Sequence, residues 1–185
     1  MRVLKFFMLI AVLSFSFLLN NVSAEENDFE ELYGNYPNAV DILTEGSKKE
    51  AEELEQKVLE DMKNNPDKVE FAVPLDVGQD DFASSRAVFL PYAYDFKYTS
   101  SVRGKNFNSL SGYSTLNNQI KVTNSAYVTY SLYTKSGAFV ASRIYLGGSL
   151  SSAKIKIQPG HEYYSVLTGG AGWKEGSGYT WVTLY

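Results

Sequence analysis

The segment AYVTYSLYTKSGAFVASRIYL, residues 126–146, decides the fold class of this chain. On both sides of Lys135-Ser136-Gly137, large apolar side chains alternate with a second set of residues, which is the period of a β-strand. Glycine in the short connection permits the positive φ that tight hairpins require. We therefore predict a β-hairpin here, and a body built of strands around it.

Further strands are predicted on both sides of this hairpin. The pattern places them over 87–98, 119–123, 153–157, 161–168 and 179–185, with a polar loop after the first and a glycine-rich loop over 169–178. In the third of these, Lys154 and Lys156 alternate with apolar residues, so one face is buried and the other is wet. Seven to eight short strands over 86–185 predict a mainly β fold, an antiparallel β-sandwich of jelly-roll or Ig-like type.

The stretch IKIQPGHEYYSV, residues 155–166, followed by Trp181 in the last strand, resembles the closing strands of bacterial extracellular sandwich domains. Domains that follow secreted peptidases and some carbohydrate-binding modules have similar endings. The resemblance implies the sandwich architecture. No functional residue is transferred from it.

The first 24 residues have the pattern of a secretory signal peptide. Arg2 and Lys5 precede an almost unbroken apolar run from Phe6 to Leu19, and Val22-Ser23-Ala24 provides small residues for cleavage after Ala24. The apolar run is shorter than the ~20 residues of a membrane-spanning helix. We therefore expect a secreted protein, of the cysteine-free kind common in bacteria, without a transmembrane anchor.

Charge divides the remaining chain into two parts of opposite sign. Residues 25–81 contain 18 Asp or Glu and 5 Lys, a formal charge of −13. Residues 82–185 contain 3 acids and 10 Lys or Arg, a formal charge of +7. Such asymmetry bears on solubility and partners rather than on fold.

The acidic part has helical signals. Ser47 and Glu50 have the spacing of a capping box, and an apolar stripe follows at helical intervals until Asn64-Asn65-Pro66 ends the helix; its members are Ala51, Leu54, Val58, Leu59 and Met62. Shorter helices are predicted from Asp28 and over 38–44. We therefore divide the chain into a signal peptide (1–24), an acidic helical region (25–70), an extended linker (71–85) and a basic, tyrosine-rich β domain (86–185).

Composition argues against most catalytic chemistry. The chain has no cysteine, and its single histidine, His161, adjoins Glu162 on a predicted strand, where neighbouring side chains point to opposite faces. Asp95, Glu162 and Glu175 are the only acids of the β domain, so a glycosidase pair is improbable. We expect no catalytic residue, no cofactor and no metal site, and hence a protein that is not an enzyme.

The aromatic residues supply the binding candidates. Tyr127, Tyr133, Arg143 and Tyr145 are assigned to one face of the hairpin, which suits glycans or anionic polymers if the face is wet; the alternative is that the tyrosines pack inside. Trp173 and Lys174 form a second candidate, an aromatic–cation pair in the glycine-rich loop. The alternative there is a tryptophan that folds back to plug the loop.

Three functions are compatible with these patterns. The first is non-catalytic binding of an anionic or glycan ligand on an extracellular polymer, a cell wall or a cell surface. The second is an antimicrobial or toxin domain masked by residues 25–70 as a propeptide, and released by proteolysis near Ser84, Ser85 and Arg86. The third is a secreted protein inhibitor. A nucleic-acid partner is not expected for an exported chain without a recognised module.

Overall fold

A computed structural model describes residues 41–75, 88–109 and 111–184. In chain order, the elements within these ranges are β1 (Asp41–Thr44), α1 (Lys48–Asn64), a 3-10 turn (Pro66–Lys68), β2 (Val69–Phe71), β3 (Val73–Pro74), β4 (Val88–Tyr98), β5 (Ser101–Arg103), β6 (Phe107–Asn108), β7 (Tyr113–Val122), β8 (Tyr127–Thr134), β9 (Phe139–Leu146), β10 (Leu150–Lys156), β11 (Glu162–Gly169) and β12 (Lys174–Leu184).

The strands form two sheets packed face to face. The first sheet has the order β1-β4-β12-β7-β10-β3, and the second has the order β2-β9-β8-β11-β5, with β6 paired to β11. Without β1, β2 and β3, the remaining orders β4-β12-β7-β10 and β5-β11-β8-β9 are those of a jelly roll. The predicted β-sandwich is confirmed, and of the two types considered the topology is the jelly roll.

The hairpin that suggested this fold is present as β8 and β9. Gly137 in the turn has a φ of 87°, and the Gly137 N–H donates to the Thr134 carbonyl oxygen over 2.9 Å. Pairing runs from Tyr127 opposite Leu146 to Tyr133 opposite Phe139, with an irregularity after Leu132. This local irregularity decides which side chains share a face, and the candidate binding residues depend on it.

The predicted glycine-rich loop is shorter in the structure, because β12 already begins at Lys174. Gly178 pairs with Tyr94 and Gly176 with Phe96 on the neighbouring strand β4. A Cβ atom at Gly178 would lie 2.2 Å from Tyr94 Cζ, and one at Gly176 would lie 2.6 Å from Phe96 Cζ. These glycines therefore make room for aromatic rings inside a strand, rather than forming a loop.

Two apolar clusters hold the layers together. The larger lies between the sheets and is rich in tyrosine; its fully buried members include Tyr98, Leu116, Ile120, Val128, Leu132 and Tyr145. The smaller lies on the outer face of the second sheet, where Val58 and Met62 of α1 pack against Tyr127, Tyr133, Ile144, Tyr164 and Val166. The helix is therefore a third layer, laid on one side of the sandwich.

Helix α1 begins and ends as predicted. The Glu50 N–H donates to the Ser47 Oγ over 3.3 Å, and the Ser47 N–H donates to the Glu50 carboxylate over 3.1 Å. Ala51, Val58 and Met62 of the expected apolar stripe are buried, whereas Leu59 is exposed. The apolar stripe of α1 therefore packs against the outer face of the second sheet.

Replacing Ser47 by alanine is expected to lower the free energy of unfolding by about 1 kcal/mol, because one helix-end N–H loses its acceptor. Urea unfolding followed by circular dichroism measures this change. Ser111→Ala, at an exposed serine in the turn before β7, is the matched control and should leave the midpoint unchanged. Equal effects of the two substitutions would contradict a stabilising cap.

Three short strands of the acidic part of the chain pair with the two sheets. β1 pairs in parallel with β4, β3 pairs with β10, and β2 pairs in parallel with β9. These pairings cap three of the four edges of the jelly roll, which would otherwise present unpaired backbone groups. The structure thus differs from two expectations: residues 41–44 are a strand rather than part of a helix over 38–44, and residues 71–75, the start of the expected extended linker, contain the end of β2 and all of β3.

The fourth edge, β5, is closed by other means. The carboxylate of Glu45 accepts hydrogen bonds from the Ser100 N–H and the Thr99 hydroxyl. These bonds keep the pKa of Glu45 below its usual value, although burial acts in the opposite direction. In addition, the Ser101 hydroxyl donates to the Ala51 carbonyl oxygen of α1. Residues 41–75 therefore cover part of each edge of the jelly roll, with strands at three edges and side-chain contacts at the fourth.

Several predictions concern residues outside the described ranges. These are the signal peptide with cleavage after Ala24, the helix from Asp28, and the processing region Ser84, Ser85 and Arg86. They stay predictions. Among the described residues, no helix has the length and apolar character needed to cross a membrane.

Candidate binding site

The structure separates the predicted pair of Trp173 and Lys174. Trp173 is 56% exposed, whereas Lys174 is 1% exposed and its ammonium donates to the Thr99 carbonyl oxygen. Burial lowers the pKa of Lys174, and the nearby charges of Glu55 and Glu45 act in the opposite direction. The cation beside Trp173 is instead Lys97, whose Nζ lies 5.9 Å from the ring centroid.

The four hairpin residues do not share a wet face. Tyr127 and Tyr133 lie under α1, with the Lys57 Nζ 4.4 Å from the ring centroid of Tyr133. Tyr145 points between the sheets, where its hydroxyl donates to the Asn118 carbonyl oxygen over 3.2 Å. The expectation of one common face fails because residues paired across the hairpin share a face, and Tyr145 pairs with Val128.

Arg143, the fourth of these residues, joins three strands. Its guanidinium donates to the carbonyl oxygens of Lys68 (3.3 Å), Ser142 (2.8 Å) and Lys154 (3.1 Å). It also pairs with the Glu70 carboxylate over 3.0 Å. The side chain is nearly buried, so its charge serves the fold in this arrangement rather than a ligand.

The opposite charges of the two parts of the chain meet in ion pairs. Lys105 of the basic part pairs with Asp41 of β1, and Arg143 pairs with Glu70 of β2. Within the basic part, the Lys135 Nζ lies 2.6 Å from the Glu162 carboxylate. These partly exposed pairs contribute modestly to stability, but they leave fewer cations for an anionic ligand.

A cavity of about 210 Å³ lies between the two sheets. It opens at the loop from β5 to β6, where Lys105 and Asn106 are exposed. Its walls come from six strands and this loop, and they combine four apolar side chains with six polar ones: Phe107, Leu116, Trp181 and Val182, and Tyr92, Lys105, Asn106, Tyr130, Ser165 and Thr180. An apolar pocket with a few converging polar groups is the usual form of a small-molecule site.

The tyrosines of the cavity are held in their neutral form. Burial raises the pKa of Tyr130 to about 12, against the smaller opposing effects of hydrogen bonds with Ser165 and Thr180. Burial also raises the pKa of Tyr92, with the charge of Asp41 adding to the shift. The Tyr92 hydroxyl is buried and lies near the Asp41 carboxylate and the Lys105 backbone, but within the described part of the chain it makes no hydrogen bond of good geometry. A hydroxyl group bound in the cavity would offer it a better-aligned hydrogen bond than these residues do.

The side chains that line this cavity provide aromatic and aliphatic surface together with hydroxyl, amide and ammonium groups. None of its described lining residues is a carboxylate, and Asp95 and Glu175 lie on the first sheet, where Glu175 pairs with Lys97 over 3.7 Å. Within 41–75, 88–109 and 111–184, no group of three His, Cys, Asp or Glu side chains is placed to hold a metal ion.

None of the residues selected from the sequence lines the cavity. The sequence predicts Tyr130 and Trp181 as strand residues and assigns them no ligand, since the alternation pattern shows only that they are on strands. The cavity depends on the relative placement of six strands and one loop, and its wall at β12 contains a register shift between Thr180 and Val182. Neither is encoded in a local pattern.

Comparisons with known proteins identify no family. No family model matches the chain, and no curated protein matches it. Solved structures with a similar arrangement include the CBM36-1 domain of a multidomain xylanase from the hindgut metagenome of Trinervitermes trinervoides, with a TM-score of 0.37 and 13% identity over 47% of this chain and 73% of that chain.

Two further structures show the same range of similarity. A Bacillus endospore appendage protein of disulfide-linked pili has a TM-score of 0.37 and 15% identity, covering 60% of this chain and 100% of that chain. PliG, a periplasmic lysozyme inhibitor of g-type lysozyme from Aeromonas hydrophila, has a TM-score of 0.31 and 9% identity, covering 63% and 98%. Similarities this low carry no argument about function.

Proposed function

We propose that this chain is a secreted, non-catalytic jelly-roll protein that binds a sugar unit of an extracellular or cell-surface glycan in the cavity between its sheets. The observation that carries the proposal is an aromatic cavity of about 210 Å³ whose wall includes the buried Tyr92 hydroxyl, which lies near Asp41 and Lys105 without a hydrogen bond of good geometry to a described residue. That volume equals about seven water molecules, which is the size class of one pyranose ring.

The wall chemistry supports a sugar over a purely apolar ligand. A pyranose presents an apolar C–H face for an aromatic ring and hydroxyl groups for polar partners. Phe107 and Trp181 provide aromatic surface, while Tyr92, Tyr130 and Asn106 provide hydroxyl and amide groups. A site with buried hydrogen-bonding groups favours ligands that pair with them, because an unpaired polar group costs free energy.

The charge distribution favours a neutral ring over an anionic polymer. The cation at the cavity mouth, Lys105, is already paired with Asp41. An anion would have to compete with that carboxylate, whereas a sugar hydroxyl can hydrogen-bond to both members of the pair. We therefore place the neutral glycan first among the ligands expected from the sequence.

In this proposal residues 41–75, the described stretch of the acidic part, are a permanent part of the fold. Residues 41–75 cap the sheet edges and cover the outer face of the second sheet. Their release would leave the domain with open edges, so we place the masked antimicrobial or toxin function behind glycan binding.

Replacing Phe107 by alanine is expected to weaken sugar binding about tenfold, the equivalent of about 1.4 kcal/mol, because an aromatic wall of the cavity is lost. A panel of neutral, amino and uronic oligosaccharides is screened first, and the retained sugar is then titrated calorimetrically. The control is Phe71→Ala, at a phenylalanine that is 47% exposed on the edge strand β2.

The full-length secreted chain is the sample for these titrations. Tyr92→Phe keeps the ring, removes the hydroxyl, and should also weaken binding. If the panel contains no sugar that the wild type retains, or if Phe107→Ala and Phe71→Ala bind equally well, the cavity is not a sugar site.

A further inference from the structure

A groove of about 580 Å³ runs between α1 and the edge strand β5. One wall is the start of the helix with Glu50, Glu53 and Lys57, and the other is β5 with Ser101 and Arg103. Thr44 and Gly46 form the end of the groove near β1. This groove lies outside the cavity assigned above, and it contains charged and hydroxyl groups rather than aromatic rings.

One hydrogen bond connects the groove to the cavity. The Arg103 guanidinium donates to the Asn106 Oδ1 over 2.9 Å, and Asn106 lines the cavity mouth. The Asn106 amide in turn donates to the Glu162 carboxylate over 3.1 Å. Groove and cavity therefore meet at Arg103 and Asn106, at the place where the cavity opens to solvent.

The ring of Tyr164 orients the side chain of Arg103. Its guanidinium carbon lies 4.0 Å from the ring centroid of Tyr164, in cation–π contact with the outer face of the second sheet. The planar group keeps further N–H donors for a ligand, because the contact with Asn106 uses only one terminal nitrogen. A guanidinium with a fixed orientation, placed where the groove meets the cavity, can donate hydrogen bonds to neighbouring hydroxyl groups of a glycan chain.

The groove fits a glycan chain better than an added peptide strand. Strand addition needs a run of free backbone groups along a sheet edge, but β5 is only three residues long, and the N–H of Ser100 just before it already donates to the Glu45 carboxylate. Beside the apolar Ala51 and Leu54, the groove is lined by hydrogen-bond donors and acceptors, as in Glu53, Lys57 and Thr44. Hydroxyl groups, which donate and accept, pair with both kinds.

We propose that the groove between α1 and β5 binds the sugar units that follow the one in the cavity, so that the protein recognises an oligosaccharide from its end. This inference rests on the proposed function, since it requires a sugar in the cavity. The terminal unit enters at Lys105 and Asn106, and the next units pass Arg103 towards Thr44.

The test compares chain lengths. The sugar retained in the panel is titrated against the full-length protein as a monosaccharide and as oligomers of increasing length. Affinity should rise over the first added units and then reach a plateau. Arg103→Ala should weaken oligomer binding about tenfold, as expected for a hydrogen bond to a charged group, while monosaccharide affinity changes far less. Glu53→Gln should act in the same direction, less strongly.

The controls separate this inference from the proposed function. Lys156→Ala, at an exposed lysine on β10, should leave every affinity unchanged, and melting curves verify that each variant is folded. Oligomers that bind no better than the monosaccharide would overturn the groove assignment and leave the cavity assignment standing. If no sugar binds, both are wrong. An extended peptide library retained by the wild type but not by Arg103→Ala would assign the groove to a protein partner instead.

Discussion

Replacing Gly178 by alanine is expected to lower the free energy of unfolding by about 3 kcal/mol or more, at the upper end for overpacking. A Cβ atom at this position would lie 2.2 Å from Tyr94 Cζ and 2.4 Å from the Tyr94 hydroxyl oxygen. Tyr94 cannot move aside easily, because its ring stacks on Tyr92 with centroids 5.2 Å apart and is tilted against Phe96 at 6.5 Å. The substitution must therefore displace a whole row of aromatic rings.

Urea unfolding followed by tryptophan fluorescence measures this loss. Gly46→Ala is the matched control, because its new Cβ would meet a single atom, a Glu50 carboxylate oxygen at 3.0 Å, so a much smaller loss is expected. An unfolding midpoint for Gly178→Ala close to that of the wild type would show that β12 does not lie against β4 in the register described.

A chain that begins at residue 86 is expected to lose its cooperative thermal transition and to associate. It lacks β1, β2 and β3, so the edges of β4, β9 and β10 become bare, and bare edges pair between molecules. It also lacks α1, whose Val58 and Met62 cover the outer face of the second sheet. Burying each such side chain contributes about 1.5–3 kcal/mol, a large share of the ~5–15 kcal/mol that stabilises a domain.

Differential scanning calorimetry and light scattering compare this chain with one that begins at Glu25. Adding a peptide of residues 25–75 in trans should restore part of the transition, since it supplies the missing strands. A monomeric, cooperatively melting chain from residue 86 would show that the acidic segment is dispensable. That result would support the hypothesis that residues 25–70 mask an antimicrobial or toxin domain.

The elements that could be predicted from the sequence are those specified by near neighbours. Ser47 and Glu50 lie three residues apart and cap the start of α1 by hydrogen bonds to each other's backbone N–H groups. Gly137 lies within the turn whose positive φ it permits. The edge strands are different. Asp41 pairs with Tyr94 and Val69 with Ser142, and such short segments carry no pattern long enough to reveal a distant partner.

The candidate site was harder to predict for a related reason. Tyrosine is a β-former on either face of a strand, so Tyr127 and Tyr145 look alike in the sequence although α1 covers one and the first sheet covers the other. Lys174 was assigned to a loop, whereas it is the buried first residue of β12. Burial is a property of the assembled layers, which the alternation pattern does not contain.

The placement of β1, β2 and β3 also sets an order of folding. During synthesis residues 41–75 are made first, yet their partner strands β4, β9 and β10 are made later, and β10 begins only at Leu150. Contacts between segments that are distant in sequence form slowly. We therefore expect the hairpin of β8 and β9, whose contacts are local, to form before residues 41–75 pair with their partner strands. The repeated negative charges of those residues repel other copies of the nascent chain during that interval, when exposed strands are most prone to mispairing.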